Sequence, residues 1–201
     1  MLHDKPELYK GLTYPWGRAI NPAPGEPEQI AEGVYWVRFP MPMSLDHINL
    51  WLLQDGDGWT VVDTCLDLGS AREIWEQLFG SVMGGRPITR VICTHMHPDH
   101  VGLAGWLTER FNADLWMSRE EFLMCRAMVG DTGREAPKVA LRFYQAAGYN
   151  EEQLTAYKGR FGNFGRAVSP LPESFRRLVD LETITIGDRY WQVIVGSGHS
   201  P

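Results

Sequence analysis

The chain has 201 residues, of which 44% are hydrophobic and 22% charged, the composition of a soluble globular domain with a sizeable core rather than of a disordered segment. No apolar run approaches the roughly 18 residues that a spanning helix needs, and Met1-Leu2-His3-Asp4-Lys5-Pro6-Glu7 lacks the apolar core of a signal peptide, so no membrane partner and a cytoplasmic location are expected. The formal charge of −6 offers no global attraction to phosphate backbones, and no nucleic-acid partner is expected.

Residues 1–32 carry Pro15, Pro22, Pro24 and Pro27 without a sustained period and read as an N-terminal extension wrapping a surface. Residues 34–39 and 48–53 read as strands, and Asp55-Gly56-Asp57-Gly58 as a hairpin turn into a strand over 59–62. Ser70-Ala71-Arg72-Glu73 has the spacing of a capping box, predicting a helix to about Gly80 with Ile74, Leu78 and Phe79 on one face. A strand over 88–93, an amphipathic helix over 102–111 and a strand over 113–117 make the middle alternate β and α, an α/β pattern. Residues 118–160 look helical, opening on a second box, Ser118 to Glu121, and restarting at Asn150-Glu151-Glu152-Gln153; with the loop that follows they read as a helical insertion over about 118–175. Strands over 183–186 and 190–195, joined by Gly187-Asp188, close the pattern. Cys65, Cys93 and Cys125 are an odd number without CxxC spacing, which signals neither a disulfide framework nor a cysteine zinc site but reduced, partly buried thiols.

The segment Thr94-His95-Met96-His97-Pro98-Asp99-His100 follows directly on a strand. In extended chain, residues two apart point to the same side, so His95 and His97 can offer both imidazoles to one ion. Pro98 then forces a turn that can swing Asp99 and His100 toward a second ion. The bland alternative for such a run is a set of solvated surface histidines on a loop.

The run resembles the His-x-His-x-Asp-His signature of the metallo-β-lactamase superfamily. Asp63-Thr64 resembles the family's Asp-Thr-Gly element, with Cys65 in place of the glycine, and Gly196-Ser197-Gly198-His199-Ser200-Pro201 resembles its Gly-His-Ser/Thr-Pro element. The resemblance spans about residues 30–201, with the domain itself expected over 33–201, and implies an α+β fold, the αββα sandwich, here largely its N-terminal half. It further implies that His95, His97 and His199 hold a first zinc, that Asp99 and His100 begin a second site, and that Asp63 supports the metal loop by hydrogen bonds. Zinc, two ions per complete protein, would lower the pKa of a water, deliver hydroxide to a carbonyl carbon or a phosphorus and stabilise the oxyanion that forms, with Asp99 also steering the proton.

A histidine at position 100 resembles the thioesterase, lactonase and nuclease branches. The expected activity is a zinc-dependent hydrolysis of ester-type bonds in small molecules, thioesters or lactones, as in the glyoxalase II-like branch. A metal-dependent phosphodiesterase or nuclease is the alternative, and an inactive fragment or scaffold is the non-enzymatic one. The family's bridging carboxylate and last histidine come after the Gly-His-Ser-Pro element, where this chain stops. A truncated chain is therefore expected, with zinc reduced or absent, little activity, and self-association through an uncovered sheet face.

Around the site, Met41-Pro42-Met43-Ser44-Leu45-Asp46-His47 reads as a substrate flap in which Met41, Met43 and Leu45 would meet an apolar acyl group and His47 would touch substrate; ordinary loop packing is the alternative. Arg142, Lys158, Arg160 and Arg166 are candidates for an anionic substrate tail, against the reading of a solvated helical face.

Overall fold

The computed structural model describes residues 6–14, 17 and 22–201. In chain order it contains β1 (Glu7–Tyr9), β2 (Leu12–Tyr14), β3 (Glu28–Ala31), β4 (Val34–Pro40), β5 (His47–Asp55), β6 (Gly58–Val62), α1 (Gly69–Gly80), β7 (Ile88–Ile92), α2 (Pro98–Val101), α3 (Ala104–Phe111), β8 (Asp114–Ser118), α4 (Arg119–Gly130), α5 (Lys138–Ala146), α6 (Glu151–Arg160), a 3-10 turn at Phe164–Ala167, β9 (Arg176–Leu178), β10 (Thr183–Ile186) and β11 (Arg189–Gln192). Seven strands form one mixed sheet in the order β3-β4-β5-β6-β7-β8-β9, so spatial order follows chain order. The first four pair antiparallel, and β6 to β9 run parallel through helical crossovers. Among the described residues no helix is long and apolar enough to cross a membrane.

Alternation along the strands sorts side chains onto two faces. Val37, Phe39, Leu50, Leu52, Trp59, Val61, Val91, Leu115 and Met117 meet Trp75, Leu78, Leu107 and Phe122 from the helices, and Leu103 from the turn before α3, in one core. Trp75 anchors this layer: its ring lies 5.3 Å from Phe39 and 5.9 Å from Phe79, and its indole N–H donates to the Thr64 carbonyl at 3.0 Å. On the opposite face Val34, Leu53, Ile92 and Leu178 pack against Ile184 and Ile186 of the β10-β11 hairpin, with Trp51, Trp116 and Trp191 at the margins.

Several boundaries differ from the sequence expectations. The segment 1–32 is not wholly a surface wrap, because β3 pairs with β4 as the edge strand of the main sheet; Pro15 and the first five residues, expected in that wrap, lie outside the described residues. Helix α1 starts one residue before Ser70, with Leu68 at its N-cap and no side-chain cap, so the Ser70 box does not form. A bidentate pair from Arg72 to the Asp67 carboxylate, at 2.8 and 2.9 Å, ties the start of that helix to the preceding loop instead. The predicted helix over 102–111 starts only at Ala104, as α3, and a separate short helix α2 precedes it; Pro98 opens α2 rather than a turn, since a proline at the first helical position gives up an N–H that has no partner there. The Asn150–Gln153 box does form, with reciprocal bonds of 2.9 Å. β11 ends at Gln192, although Val193 still exchanges backbone bonds with Leu181 and Glu182.

Candidate metal centre

The parallel strands β6 and β7 end side by side, and the loops leaving their C-terminal edges build the site. Asp63, directly after β6, is buried and takes a left-handed backbone (φ 63°), a conformation that Asp tolerates better than most residues. Its Oδ1 accepts the Thr94 N–H at 2.8 Å, its Oδ2 accepts the Thr94 hydroxyl at 2.9 Å, and the same Oδ2 receives the Nδ1–H of His100 at 2.8 Å. Asp63 therefore supports the histidine run without pointing into it.

Thr64 continues the support, its N–H and hydroxyl both donating to the His100 carbonyl at 2.8 Å while its Oγ1 accepts the Leu103 N–H at 3.0 Å. Cys65, in the place of the family glycine, also adopts a left-handed backbone (φ 71°), so the turn that glycine would make is kept despite the side chain. Non-glycine residues held there cost about 1–3 kcal/mol each and persist only where the surroundings over-determine them. Gly102 lies beneath: a Cβ at that position would meet the carbonyl oxygens of Cys65 and Pro98 at 2.5 Å.

The three histidines expected at a first ion converge. One ring nitrogen from each of His95, His97 and His199 lies within 4.8 Å of the others, and His97 Nδ1 stands 3.1 Å from His199 Nε2. Tetrahedral zinc ligands at about 2.0–2.1 Å are about 3.4 Å apart, so this spacing suits one shared ion. A second observation tests the fit independently. His95 Nε2 is a buried polar atom with no hydrogen-bond partner among the described residues, while Nδ1 of the same ring sits 3.0 Å from the Thr94 hydroxyl. A buried donor or acceptor left unmade is costly, and a ring fixed at one nitrogen with the other free is the arrangement of a metal-ligating histidine.

The electrostatics agree with that division. Burial, joined by the charge of His100, pushes the His95 imidazole down to about 4, and burial with the neighbouring His199 lowers His97, so both offer neutral nitrogens. Burial works against the charge of His100 as well, but its hydrogen bonds to Asp63 and Asp99 outweigh it and lift that imidazole to about 9. Asp99 is lowered, first by its hydrogen bond with His100, whose Nε2 lies 3.4 Å from Oδ2. With Nδ1 held by Asp63, His100 directs Nε2 to the side that carries the Asp99 carboxylate, and the three form a charge-paired group beside the three converging imidazoles.

The other candidates fall elsewhere. Met41 is only 6% exposed and packs in the core, its N–H bonded to the Asp46 carbonyl at 2.8 Å, so it is not a flap residue. Met43 and Leu45 are exposed, and His47 opens β5 with Nδ1 2.6 Å from the Asp46 carboxylate. Arg142, Lys158, Arg160 and Arg166 are exposed on α5, α6 and the 3-10 turn. All three cysteines are buried free thiols; burial pushes Cys65 and Cys125 up to about 12 and Cys93 well above the usual range, so none is a nucleophile.

One residue at the centre was not singled out from the sequence for this site. Glu121 is buried, one carboxylate oxygen accepting the Met96 N–H at 2.7 Å and the other the Ser200 hydroxyl. Its sequence signal, a Glu three residues after Ser118, is that of a helix cap. The cap is half made: the Ser118 hydroxyl accepts the Glu121 N–H at 3.3 Å, while the Glu121 side chain turns inward.

Comparison with known proteins points the same way. Residues 43–201 match the family model of the metallo-beta-lactamase superfamily. A probable metallo-hydrolase, YybB of Bacillus subtilis (strain 168), is 30% identical over 94 residues, which are 46% of this chain and 40% of that protein. A beta-lactamase domain protein from Burkholderia ambifaria is 38% identical with a TM-score of 0.76, over 92% of this chain and 54% of that one. The metallo-beta-lactamase family protein TTHA1429 from Thermus thermophilus is 27% identical with a TM-score of 0.68, over 86% of this chain and 54% of its own. The chain thus spans about half the length of the solved structures it matches. With the matched region taking in Asp63, the histidine run and His199, the chain belongs to the metallo-beta-lactamase superfamily.

Proposed function

We propose that the chain carries the metal centre of a zinc-dependent hydrolase acting on ester-type bonds of small molecules, thioesters or lactones. The observation that carries this is the convergence of three imidazoles around the unpartnered Nε2 of His95. A set of imidazoles with a nearby carboxylate suits zinc among the common divalent ions. His95, His97 and His199 would hold one ion, and Asp99 with His100 a second. Zinc bound there supplies Lewis acidity and lowers the pKa of a coordinated water.

The chain's own residues do the rest. Asp63 fixes the His100 ring through Nδ1, Thr94 fixes His95 through its hydroxyl, and Thr64 pins the backbone of α2 that carries Asp99. The Asp99 carboxylate, kept ionised beside His100, is the group placed to accept and pass on a proton. The three-histidine site has one donor more than the Asp99–His100 pair, so it is expected to fill first. The curated relative's description as a probable metallo-hydrolase supports the hydrolytic reading, and the chain's acidic balance supports a small-molecule substrate over a polyanion.

The test is elemental analysis joined to a substrate panel. Zinc bound in proportion to protein, with thioesters or lactones turned over faster than bis-aryl phosphodiesters, supports the proposal. Turnover confined to the phosphodiesters moves the assignment to the nuclease-like branches.

A further inference from the structure

We infer that Glu121 is the positioning residue of this centre: its one carboxylate grips the two ligand-bearing segments at once and holds His95, His97 and His199 at metal-binding spacing. This rests on the metal reading above and goes beyond it by assigning a role to a residue outside the ligand set.

The placement is specific. Met96, whose N–H donates to Oε2, sits between His95 and His97; Ser200, whose hydroxyl donates to Oε1, directly follows His199. Glu121 is 25 residues from the first contact and 79 from the second, so a group on α4 joins two segments that no strand pairing joins. The other direct links given by the described residues are contacts of the His199 ring, with His97 at 3.1 Å between nitrogens and with His95 at 4.9 Å between centroids, and these are themselves contacts of the ligand rings. A ligand cannot both define the spacing and be defined by it, and Glu121 supplies the reference from outside.

The burial of Glu121 also asks for an explanation. It is 4% exposed, and among the described residues no Lys, Arg or His forms an ion pair with it. A buried carboxylate is retained only where hydrogen bonds and nearby positive charge offset its lost hydration. Two donors and the N-terminal turn of α4 provide part of that. A divalent cation among the three imidazoles next to Met96 would provide the rest, so the Glu121 charge and the cation stabilise each other. A capping role would not need the inward turn, since a cap is satisfied at the Ser118 N–H.

The test uses the full 201-residue chain, with Zn2+ and Co2+ as probes in competition titrations and the Co2+ visible spectrum as a report on ligand geometry. Glu121→Ala is expected to weaken metal binding by about 10–100-fold, the usual effect of losing an outer support. Glu121→Gln can still accept the Met96 N–H and can donate to the Ser200 oxygen, so it should keep the Co2+ spectrum and lose affinity only in part. Ser200→Ala should weaken binding while leaving hydrogen exchange at the Met96 amide as it is, whereas Glu121→Ala should speed that exchange. Phe122→Leu, a change at the buried neighbour that faces the core, controls for general loss of stability and should lower the unfolding temperature without moving the affinity. If Glu121→Ala does not fold, Glu121→Gln and Ser200→Ala decide. Unchanged affinity in both of those, or equal weakening by Phe122→Leu, overturns the inference while the metal reading stands. No metal uptake by the unaltered chain overturns the metal reading and this inference together.

Discussion

The Asp63 carboxylate and the His100 imidazole meet at 2.8 Å behind the metal-facing edge, joining the end of β6 to α2 across 37 residues of sequence. The same carboxylate holds the backbone and hydroxyl of Thr94, so one buried side chain serves three donors. Asp63→Ala leaves those donors without an acceptor and is expected to cost about 3 kcal/mol of folding stability, in the range for breaking a buried, charged hydrogen-bond set. Urea unfolding of the metal-free protein measures it. A cost below about 1 kcal/mol, the size of an ordinary exposed pair, would contradict the supporting role.

His97 should behave in the opposite way. It is partly exposed, and its ring meets the other imidazoles of the cluster, with Nδ1 3.1 Å from His199 Nε2 and its centroid 4.9 Å from that of His95. His97→Ala is expected to abolish zinc binding at the three-histidine site while changing the stability of the metal-free chain by less than about 0.5 kcal/mol, as for a surface substitution. Calorimetric zinc titration set beside thermal unfolding without metal separates the two effects. A large loss of stability without metal would show that the histidines are structural.

Much of this site was legible in the sequence because its geometry is local. Two histidines two apart after a β-branched strand share a side whatever the rest of the chain does, and the spacing to Asp63 and His199 carried the family resemblance. What was not legible depends on tertiary context. Glu121 has the local signature of a cap and leaves it for partners 25 and 79 residues away, which no window of sequence contains. Met41 reads as an apolar flap because a loop residue carries no periodic sign of its burial, yet it is 6% exposed. Pro98 is compatible both with a turn and with the first position of a helix, and the bonds that dock α2 on the loop after β6, from Thr64 to the His100 carbonyl and from Leu103 to the Cys65 carbonyl, decide for the helix. β3 has four residues and a register shift against β4, too short and irregular for an alternation to show.

Gly102 permits the close packing under α2. An added methyl group would fall 2.5 Å from two carbonyl oxygens and 2.7 Å from that of Ala167, all of them backbone that cannot rotate away. Gly102→Ala is therefore expected to destabilise the fold by about 1–3 kcal/mol, as overpacking does, and to shift α2 with the Asp99 and His100 it carries. Gly69→Ala makes the matched comparison, because nothing lies within 4 Å of a Cβ there and it sits at the first position of α1. Denaturation midpoints for the two variants measure the contrast, and equal midpoints would rule out the steric account.

Acid should weaken the fold through Asp55. This residue, at the end of β5, binds four elements together: Oδ1 accepts the Gly187 N–H at 2.9 Å, and Oδ2 accepts the Thr89 hydroxyl at 2.7 Å and the Thr60 hydroxyl at 2.8 Å and pairs with Arg90 at 2.7 Å. Burial pushes its carboxyl upward, but the hydrogen bonds from Gly187, Thr89 and Thr60 and the Arg90 charge outweigh that and leave it below the ordinary 3.8. A carboxyl held lower in the folded than in the unfolded chain binds its proton more readily when unfolded. Its contribution is complete above the unfolded value and is lost as the pH falls through that value toward the lowered folded one. Stability should therefore drop below about pH 4 through this group, and the β10-β11 hairpin, joined to the sheet by the Gly187 bond, should loosen first. Asp55→Asn keeps the shape but removes the titration, so it should be less stable than the parent at pH 7 and lose less on going to pH 3. Urea unfolding of both proteins at the two pH values tests this, and parallel losses in parent and variant would exclude Asp55 as a source of the acid sensitivity.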